Sequence, residues 1–485
     1  MRPRLGAANA RPAALKTHEF RRSTDGDDSF IEARANATVA MTARQRLTAV
    51  LLLGTNFMLS VDFSILNIAL PEVGRAVGLD LAEFPWVATA FALPAAGLSL
   101  LFGRLGDIYG RRRLFVAGLA LLALASLLGG IATGPSLLLT ARALQGIATA
   151  MTAPAALALL ITAFADDRQR ARVLGLNGTL LSGGFTVGAL AGGMLVDVLS
   201  WRWAFLINVP FALMILVLTP FVISGGCSLE SVRLDVPGAA SVTLGLLALV
   251  FGIIKWFVPA LIAGLFLLAL FFWIERRARA PLLAIEMLAR PSVRWGNLAA
   301  LTIFSMEAGL VFLMTLYLQD VLGLGPLTTG LVFGVPGLAS VAAGIVAGRI
   351  IARRGARPVL LAALLVQGSL TAPLMLLGTE QTWLWLLIPA LFVGFLGHIT
   401  AVVAATVIAT SDVADADAGL ATGLVTTSQR VAVTVGIPLL GAVMLLRADL
   451  MAGIHLALAT DVVLTLMVVA AISAGLKQPR TRTPG

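Results

Sequence analysis

From Leu47 to Leu476 the chain is a succession of apolar runs, each about the 20 residues that a helix needs to cross roughly 30 Å of hydrocarbon. Inside lipid a backbone must satisfy its own hydrogen bonds, so runs of this kind can fold only as helices. The alternating ten-residue pattern of a membrane barrel strand is absent. Only 12% of the 485 residues are charged and 59% are hydrophobic, which excludes a soluble globule. The expectation is an all-α integral membrane protein. Its spans fall at 47–70, 84–102, 114–132, 136–163, 173–196, 204–223, 237–254, 256–274, 296–318, 328–348, 358–377, 384–409, 420–446 and 456–476, fourteen in all.

The net charge of +10 raises the question of a polyanionic partner, and the placement of the charge answers it. If the N-terminus is cytoplasmic, 22 of the 35 basic residues fall on the cytoplasmic side and four (Arg75, Arg202, Lys255, Arg447) on the opposite side. This is the positive-inside rule, which predicts both termini in the cytoplasm and a multi-pass protein of the plasma (inner) membrane in contact with lipid. No basic patch with interleaved aromatics marks a nucleic-acid site. Residues 1–46 lack periodicity and an apolar signal core and are expected to be a disordered cytoplasmic leader, with Met41 as a second candidate start. The single cysteine, Cys227, permits no internal disulfide and is expected to pack as a small hydrophobe.

An internal repeat organises the rest. "GRLGDIYGRRRL" from Gly103 aligns with "GRIIARRGARPV" from Gly348, 245 residues further on, matching Gly103 with Gly348, Arg104 with Arg349, Gly110 with Gly355 and Arg112 with Arg357. Each copy joins the second and third spans of a six-span block once spans seven and eight are set aside. The predicted organisation is therefore a leader (1–46), a six-helix bundle (47–223), two inserted helices (224–280), a second six-helix bundle (281–476) and a tail (477–485), the parallel-halves plan of a rocking transporter.

Five stretches, in order and on the expected spans, make the likeness specific. They are "NFMLSVDFSILNIALP" in span one, "GRLGDIYGRRR" after span two, "LTARALQGIATA" in span four, "GLNGTLLSGGFTVGALAGG" in span five and "SWRWAFLINVP" at the start of span six. Together they resemble the fourteen-helix drug:proton antiporters of the major facilitator superfamily. Two departures are Ala189, where the glycine motif has proline, and Ser64, where the first-span motif has threonine. The resemblance implies a monomeric major facilitator fold that exports lipophilic, often cationic, drug-like or antibiotic compounds. It implies no organic or metal cofactor, the proton being the coupling ion.

The residues support this independently. An ionised side chain at mid-span costs at least about 2.5–3.5 kcal/mol and is functional by default. Asp62, Arg142 and Glu307 are the candidates for proton coupling or substrate binding. From the span boundaries, Asp62 and Arg142 share a depth of about 5–8 Å outward of the midplane at roughly 1.5 Å per residue. They are either an ion pair that breaks during transport or a permanent buried salt bridge. Glu307 sits near the centre of span nine without a basic neighbour on its helix. At the cytoplasmic mouth, Gly103, Asp107, Gly110, Arg111 and Arg112 form a candidate gate, with Arg111 one helical turn from Asp107. Gly184, Gly188 and Gly192 line one face of span five, and with Gly193 let another helix approach to backbone contact. Asn56, Ser60, Phe63 and Asn67, with Gln145 in span four, are candidate cavity-lining groups; the span-one stripe either faces a cavity or bonds a neighbouring helix. His398 is either a proton relay or a histidine satisfied by a carbonyl.

Energy source and chemistry narrow the choice. The three lysines, Lys16, Lys255 and Lys477, complete no phosphate-binding loop, which leaves an ion gradient as the drive. A membrane prenyl transferase would need paired DDxxD-like sites for magnesium and diphosphate. Asp166-Asp167 is followed by arginines, and Asp412, Asp415 and Asp417 form an isolated acidic turn, so no enzyme and no metal site is expected. A proton-coupled importer of a small nutrient is the remaining alternative, against which the motifs in spans four and five count.

Overall fold

The computed structural model describes residues 41–164, 166–223, 235–278, 285–414 and 417–476. The expectations for residues 1–40, Cys227, Asp415 and the tail fall outside them, as does the junction of the first bundle with the inserted helices. The described residues are helical throughout, without a strand. Thirteen helices are long and apolar enough to span a membrane, and a bent pair, Leu81–Gly97 with Ser99–Tyr109, makes a fourteenth. The 46° bend of that pair falls at Leu98, where Pro94 has removed a helix donor just upstream.

In chain order the spans are Ala43–Ala76, the bent pair, Arg111–Gly130, Pro135–Ala163, Asp167–Val198, Trp203–Val222, Val236–Lys255, Val258–Glu275, Pro291–Val321, Pro326–Arg354, Ala356–Leu376, Leu384–Thr410, Ala418–Met444 and Leu450–Gly475. We refer to them as the first to the fourteenth. The first helix begins at Ala43, inside the stretch assigned to the leader on composition. A reciprocal cap starts it: Thr42 N donates to Gln45 Oε1 and Gln45 N donates to Thr42 Oγ1. The seventh and eighth spans separate at Trp256, whose left-handed backbone (φ 52°) turns the chain with almost no loop.

The repeat is visible in the backbone. Gly110 (φ 98°) and Gly355 (φ 82°) make the same sharp turn between the second and third spans of each block, at positive φ that a side chain would strain. The arginine two residues after each glycine reaches the end of its block's last helix: Arg112 Nη2 donates to Pro220 O at 2.9 Å and Arg357 Nη2 to Ser473 O at 2.8 Å.

Among the described residues, the side-chain bonds that join the two blocks lie at one end and in the middle of the bundle. We call the end that holds Asp107 and Gly355 the near end and the other the far end. At the far end Arg75 pairs with Asp320, Gln319 Nε2 donates to Ile68 O at 2.8 Å, and Gly193 packs on Pro326. Towards the middle, Thr434 Oγ1 donates to Ala92 O at 3.2 Å and Arg430 Nη1 to Ser99 Oγ at 2.8 Å. Nearer the near end a methyl placed on Gly54, Gly175, Gly178, Gly344, Gly348, Gly419 or Gly423 would meet no atom within 4 Å. The protein is closed at the far end and splayed at the near end.

The seventh span lies along the seam between the blocks. Its Leu246, Val250 and Ile254 pack with Leu93 and Trp86 of the second span and Val431 of the thirteenth, and Lys255 Nζ donates to Glu83 Oε1 at 2.8 Å. The eighth span packs on the seventh and turns Ile262, Leu265 and Phe266 outward, each at least 60% exposed, as expected of a lipid-facing surface.

Candidate functional site

Asp62 and Arg142 meet inside the first block, each 1% exposed, with Arg142 Nη1 at 3.6 Å from Asp62 Oδ2. Their shared depth sets them level, and the first and fourth helices do bring them together. Asp62 Oδ1 accepts a hydrogen bond from Asn208 Nδ2 of the sixth span, whereas Asp62 Oδ2 accepts none. The guanidinium is held from several directions: Nε donates to Val87 O at 3.0 Å, Nη1 to Gln145 Oε1 at 2.8 Å, and the Phe91 ring lies 4.4 Å from Cζ. Gln145 Nε2 in turn donates to Ser126 Oγ at 2.9 Å. Arg142 is thus a fixed cation, while one oxygen of its carboxylate partner has no hydrogen-bond donor.

Of the candidate cavity-lining groups, Gln145 is fully buried within this network, and the span-one stripe bonds the fifth helix. Asn56 Nδ2 donates to Asn177 Oδ1 (2.7 Å), Ser60 Oγ to Leu181 O (2.6 Å) and Ser64 Oγ to Phe185 O (2.6 Å). The three rungs step by four residues on both helices, as two near-parallel helices in register require. Asn67 Nδ2 bonds the Phe63 carbonyl of its own helix at 2.9 Å, and Phe63 is half-buried. The glycines of the fifth span lie in the same interface. A methyl on Gly184 would come within 2.8 Å of Ser60 Cβ, on Gly188 within 2.6 Å of Val61 O, and on Gly192 within 2.8 Å of Ile65 Cα. Gly193 faces the other way, onto Pro326 of the tenth span, as does Ala189, whose carbonyl meets Gly330. The fifth helix is therefore held against the first on one face and against the second block on the other.

At the near end Arg111 Nε and Nη2 both reach Asp107 Oδ1 at 2.9 Å. The pair is about one-third exposed and lies within one block. Gly103 faces open space, and Arg112 is committed to Pro220 O. Asp166, one half of the aspartate pair that a magnesium site would use, is the N-cap of the fifth helix, its Oδ1 accepting from Gln169 N at 2.8 Å.

Glu307 stands apart, in the second block, half-buried and facing a small cavity that it shares with Gln367, Thr371, Ala390 and His398. It is 245 residues after Asp62, the offset of the repeat, and the first and ninth spans end in register at Ala76 and Val321. Carried over by the same offset, Arg142 becomes Leu387, Gln145 becomes Ala390, Ser126 becomes Thr371 and Asn208 becomes Gly453. The second block keeps the carboxyl and lacks the groups that hold it in the first. In the sequence Asn208 stands within a motif without an assigned partner, and Ser126, Phe91, Gln367 and the Arg75–Asp320 pair are not singled out at all. Their importance arises from contacts between helices. For Glu307 and the residues opposite it, the repeat offset is a usable signal.

A repeated turn, far-end contacts between the two sets of helices and buried charges fit the parallel-halves plan of secondary transporters. The Major Facilitator Superfamily model matches residues 52–437, and the chain belongs to that superfamily. It is 37% identical over 414 residues to the puromycin resistance protein pur8 of Streptomyces alboniger, which covers 81% of this chain and 80% of the relative. It is also 36% identical over 389 residues to the cephamycin export protein CmcT of Amycolatopsis lactamdurans (77% and 80% covered). Among solved structures, a bacterial homolog of the lysosomal transporter Spinster, inward-facing and occupied, superposes with a TM-score of 0.65 at 13% identity, over 90% of this chain and 98% of that one. A point mutant of the nucleoside transporter NupG gives 0.64 at 11% identity (88% and 100%). These two likenesses concern the fold. The protein is a transporter and not an enzyme.

Proposed function

We propose that this protein exports lipophilic drug-like or antibiotic compounds across the plasma (inner) membrane in exchange for protons, by alternating access and as a monomer. The observation that carries the coupling is the buried Asp62–Arg142 pair, in which Asp62 Oδ2 accepts no hydrogen bond. A proton arriving at that oxygen cancels the charge that draws Arg142. The guanidinium keeps Val87 O, Gln145 and Phe91, so the first helix is freed relative to the fourth. Release of the proton restores the pair. Glu307 is the second site; the two carboxyls are compatible with cationic substrates, while Arg142, paired with Asp62, offsets the charge of one of them. One pH unit of gradient supplies about 1.4 kcal/mol and 100 mV about 2.3 kcal/mol per charge, enough to drive such a cycle.

The export of antibiotics rests on the relatives whose names carry puromycin resistance and cephamycin export. The orientation rests on the basic residues: among the described residues seventeen of them belong to the near end and four to the far end, which makes the near end cytoplasmic, both termini with it, and the splayed state inward-facing. In this orientation the Asp107–Arg111 pair belongs to the cytoplasmic gate, which closes when the near ends of the two blocks meet.

Reconstituted vesicles holding a pH gradient provide the test. Addition of a lipophilic cationic antibiotic is expected to provoke proton movement and to be matched by uphill transport of the compound. A response to sugars or amino acids, with none to any lipophilic compound, would replace export by import.

A further inference from the structure

The cavity beside Glu307 has a definable origin. By the repeat offset, Ala390 on its wall stands where the first block has Gln145, so a long polar side chain is missing there. What remains is a space of about 10 Å³, the volume one water centre requires. Two polar groups on its wall are buried without a hydrogen-bond partner: Gln367 Oε1 of the eleventh span and His398 Nδ1 of the twelfth. Gln367 spends its amide nitrogen on Ile303 O at 3.4 Å, and His398 is flanked by Phe304 and Phe395 at 5.4 and 5.9 Å between centroids. An unmatched buried polar atom costs about 1–3 kcal/mol, and two of them on residues that line one cavity beside a carboxyl point to a bound water.

We propose that one water in this cavity joins Glu307, Gln367 and His398 into a proton-binding site, with His398 as the group that exchanges the proton of Glu307. Gln367 Oε1 accepts from the water and orients it. Glu307 gives its carboxyl proton to the water, which passes one of its own to His398 Nδ1; the reverse step reloads the carboxyl, and no other reactant is consumed. The carboxylate and imidazolium so formed face each other across the water, an arrangement that takes the place of the Asp62–Arg142 pair in the other block. The ionisable side chains on the elements packed around the ninth span are Arg44, Arg46, Asp62, Glu72 and Arg75 on the first, Glu286 on the turn before it, Arg357 on the eleventh, His398 on the twelfth, Arg430 on the thirteenth, and His455 and Asp461 on the fourteenth. To the cavity itself the eleventh contributes neutral Gln367 and Thr371. Of the charged and titratable groups named, His398 alone lines the cavity with Glu307. The proposal rests on the reading of Glu307 as a proton site, which it deepens.

The test reads the carboxyl directly. N,N′-dicyclohexylcarbodiimide attacks protonated carboxyls in apolar surroundings, and peptide mass spectrometry assigns the adduct to Glu307. In detergent-solubilised full-length protein, labelling against pH gives the midpoint of Glu307 protonation. His398→Leu and Gln367→Leu are each expected to move that midpoint by about one pH unit or more. His398→Gln, which can still bond the water but cannot carry the proton, should move it less while slowing drug-provoked proton movement in vesicles at least tenfold. Monodisperse elution of each variant guards against misfolding. An unchanged midpoint in both leucine variants, or no labelling of Glu307 at any pH, overturns the proposal. Loss of coupling is judged separately in Glu307→Gln: if that variant transports normally while the midpoints still shift, the water-linked site stands and its part in transport falls.

Discussion

Asp62 and Glu307 occupy the same register of the repeat, yet the two blocks treat them in opposite ways. In the first block the carboxylate faces a guanidinium fixed by Val87, Gln145 and Phe91, with Asn208 on its other oxygen. In the second, leucine, alanine and glycine stand at the positions of Arg142, Gln145 and Asn208, and a cavity lies beside the alanine, Ala390, and Glu307. A buried ion pair is poor at stabilising a fold, because desolvation offsets most of the attraction. Its retention in one block and loss from the other therefore suggests division of labour. In the proposed cycle the first block supplies an ion pair that a proton breaks, and the second a water-sized site beside a carboxyl.

The comparison can be broken most severely at the ion pair. Asp62→Asn is expected to insert normally and to lower gradient-driven export at least about 100-fold. Arg142→Gln removes the cation and leaves the buried carboxylate alone, a change worth about 3–5 kcal/mol. It should lower the unfolding temperature, measured by nanoscale fluorimetry, whereas Asp62→Asn/Arg142→Gln recovers most of that loss but not transport. If the double variant is no more stable than Arg142→Gln, the two residues are not coupled.

The equivalence of the blocks is sharpened by building the missing cation into the second. Leu387→Arg places a guanidinium at the position equivalent to Arg142, and it should be tolerated with Glu307 present but depress folded yield strongly in a Glu307→Gln background. Equal yields in the two backgrounds would show that register does not translate into proximity. For Glu307→Gln alone we expect a several-fold change in coupling or in the range of compounds exported, smaller than the effect at Asp62. Wild-type behaviour with every lipophilic cation tested would reduce Glu307 to packing.

The smallest effect is expected at the far end, where Arg75 and Asp320, themselves 245 residues apart, join the two blocks. Arg75 is half exposed, and such a pair is worth about 0–1 kcal/mol. Arg75→Gln should therefore shift the balance of facing states only a few-fold toward the outward-open form. The rate of thiol modification of a cysteine introduced at Ala69, in a Cys227→Ser background, would report it; a rate unchanged from the parent would show that the pair is no latch.

Much of this is legible without any coordinate. Span number and depth follow from hydrophobic length, which is why Asp62 and Arg142 can be set level from helix geometry alone. The turns at Gly110 and Gly355 are readable from the repeat because positive φ selects glycine. The polar stripe of the first span is readable as a stripe but not as an interface: Asn56 and Ser60 have the same spacing whether they face a cavity or a helix. Only the matching rungs at Asn177 and Leu181 decide it. Asn208 and Gln367 escape notice for the same reason. A lone neutral amide in a span has little signature of its own, and its meaning comes from the helix opposite.

The most direct measurement follows protons in vesicles with a pH gradient, comparing wild type, Asp62→Asn and Glu307→Gln at equal reconstituted amounts. A lipophilic cationic antibiotic that the wild type transports should release protons through the wild type and, with altered stoichiometry or selectivity, through Glu307→Gln. Asp62→Asn should still bind the compound yet move no protons in response to it. Drug-provoked proton movement at the wild-type rate in Asp62→Asn would contradict the claim that the Asp62–Arg142 pair is the coupling element.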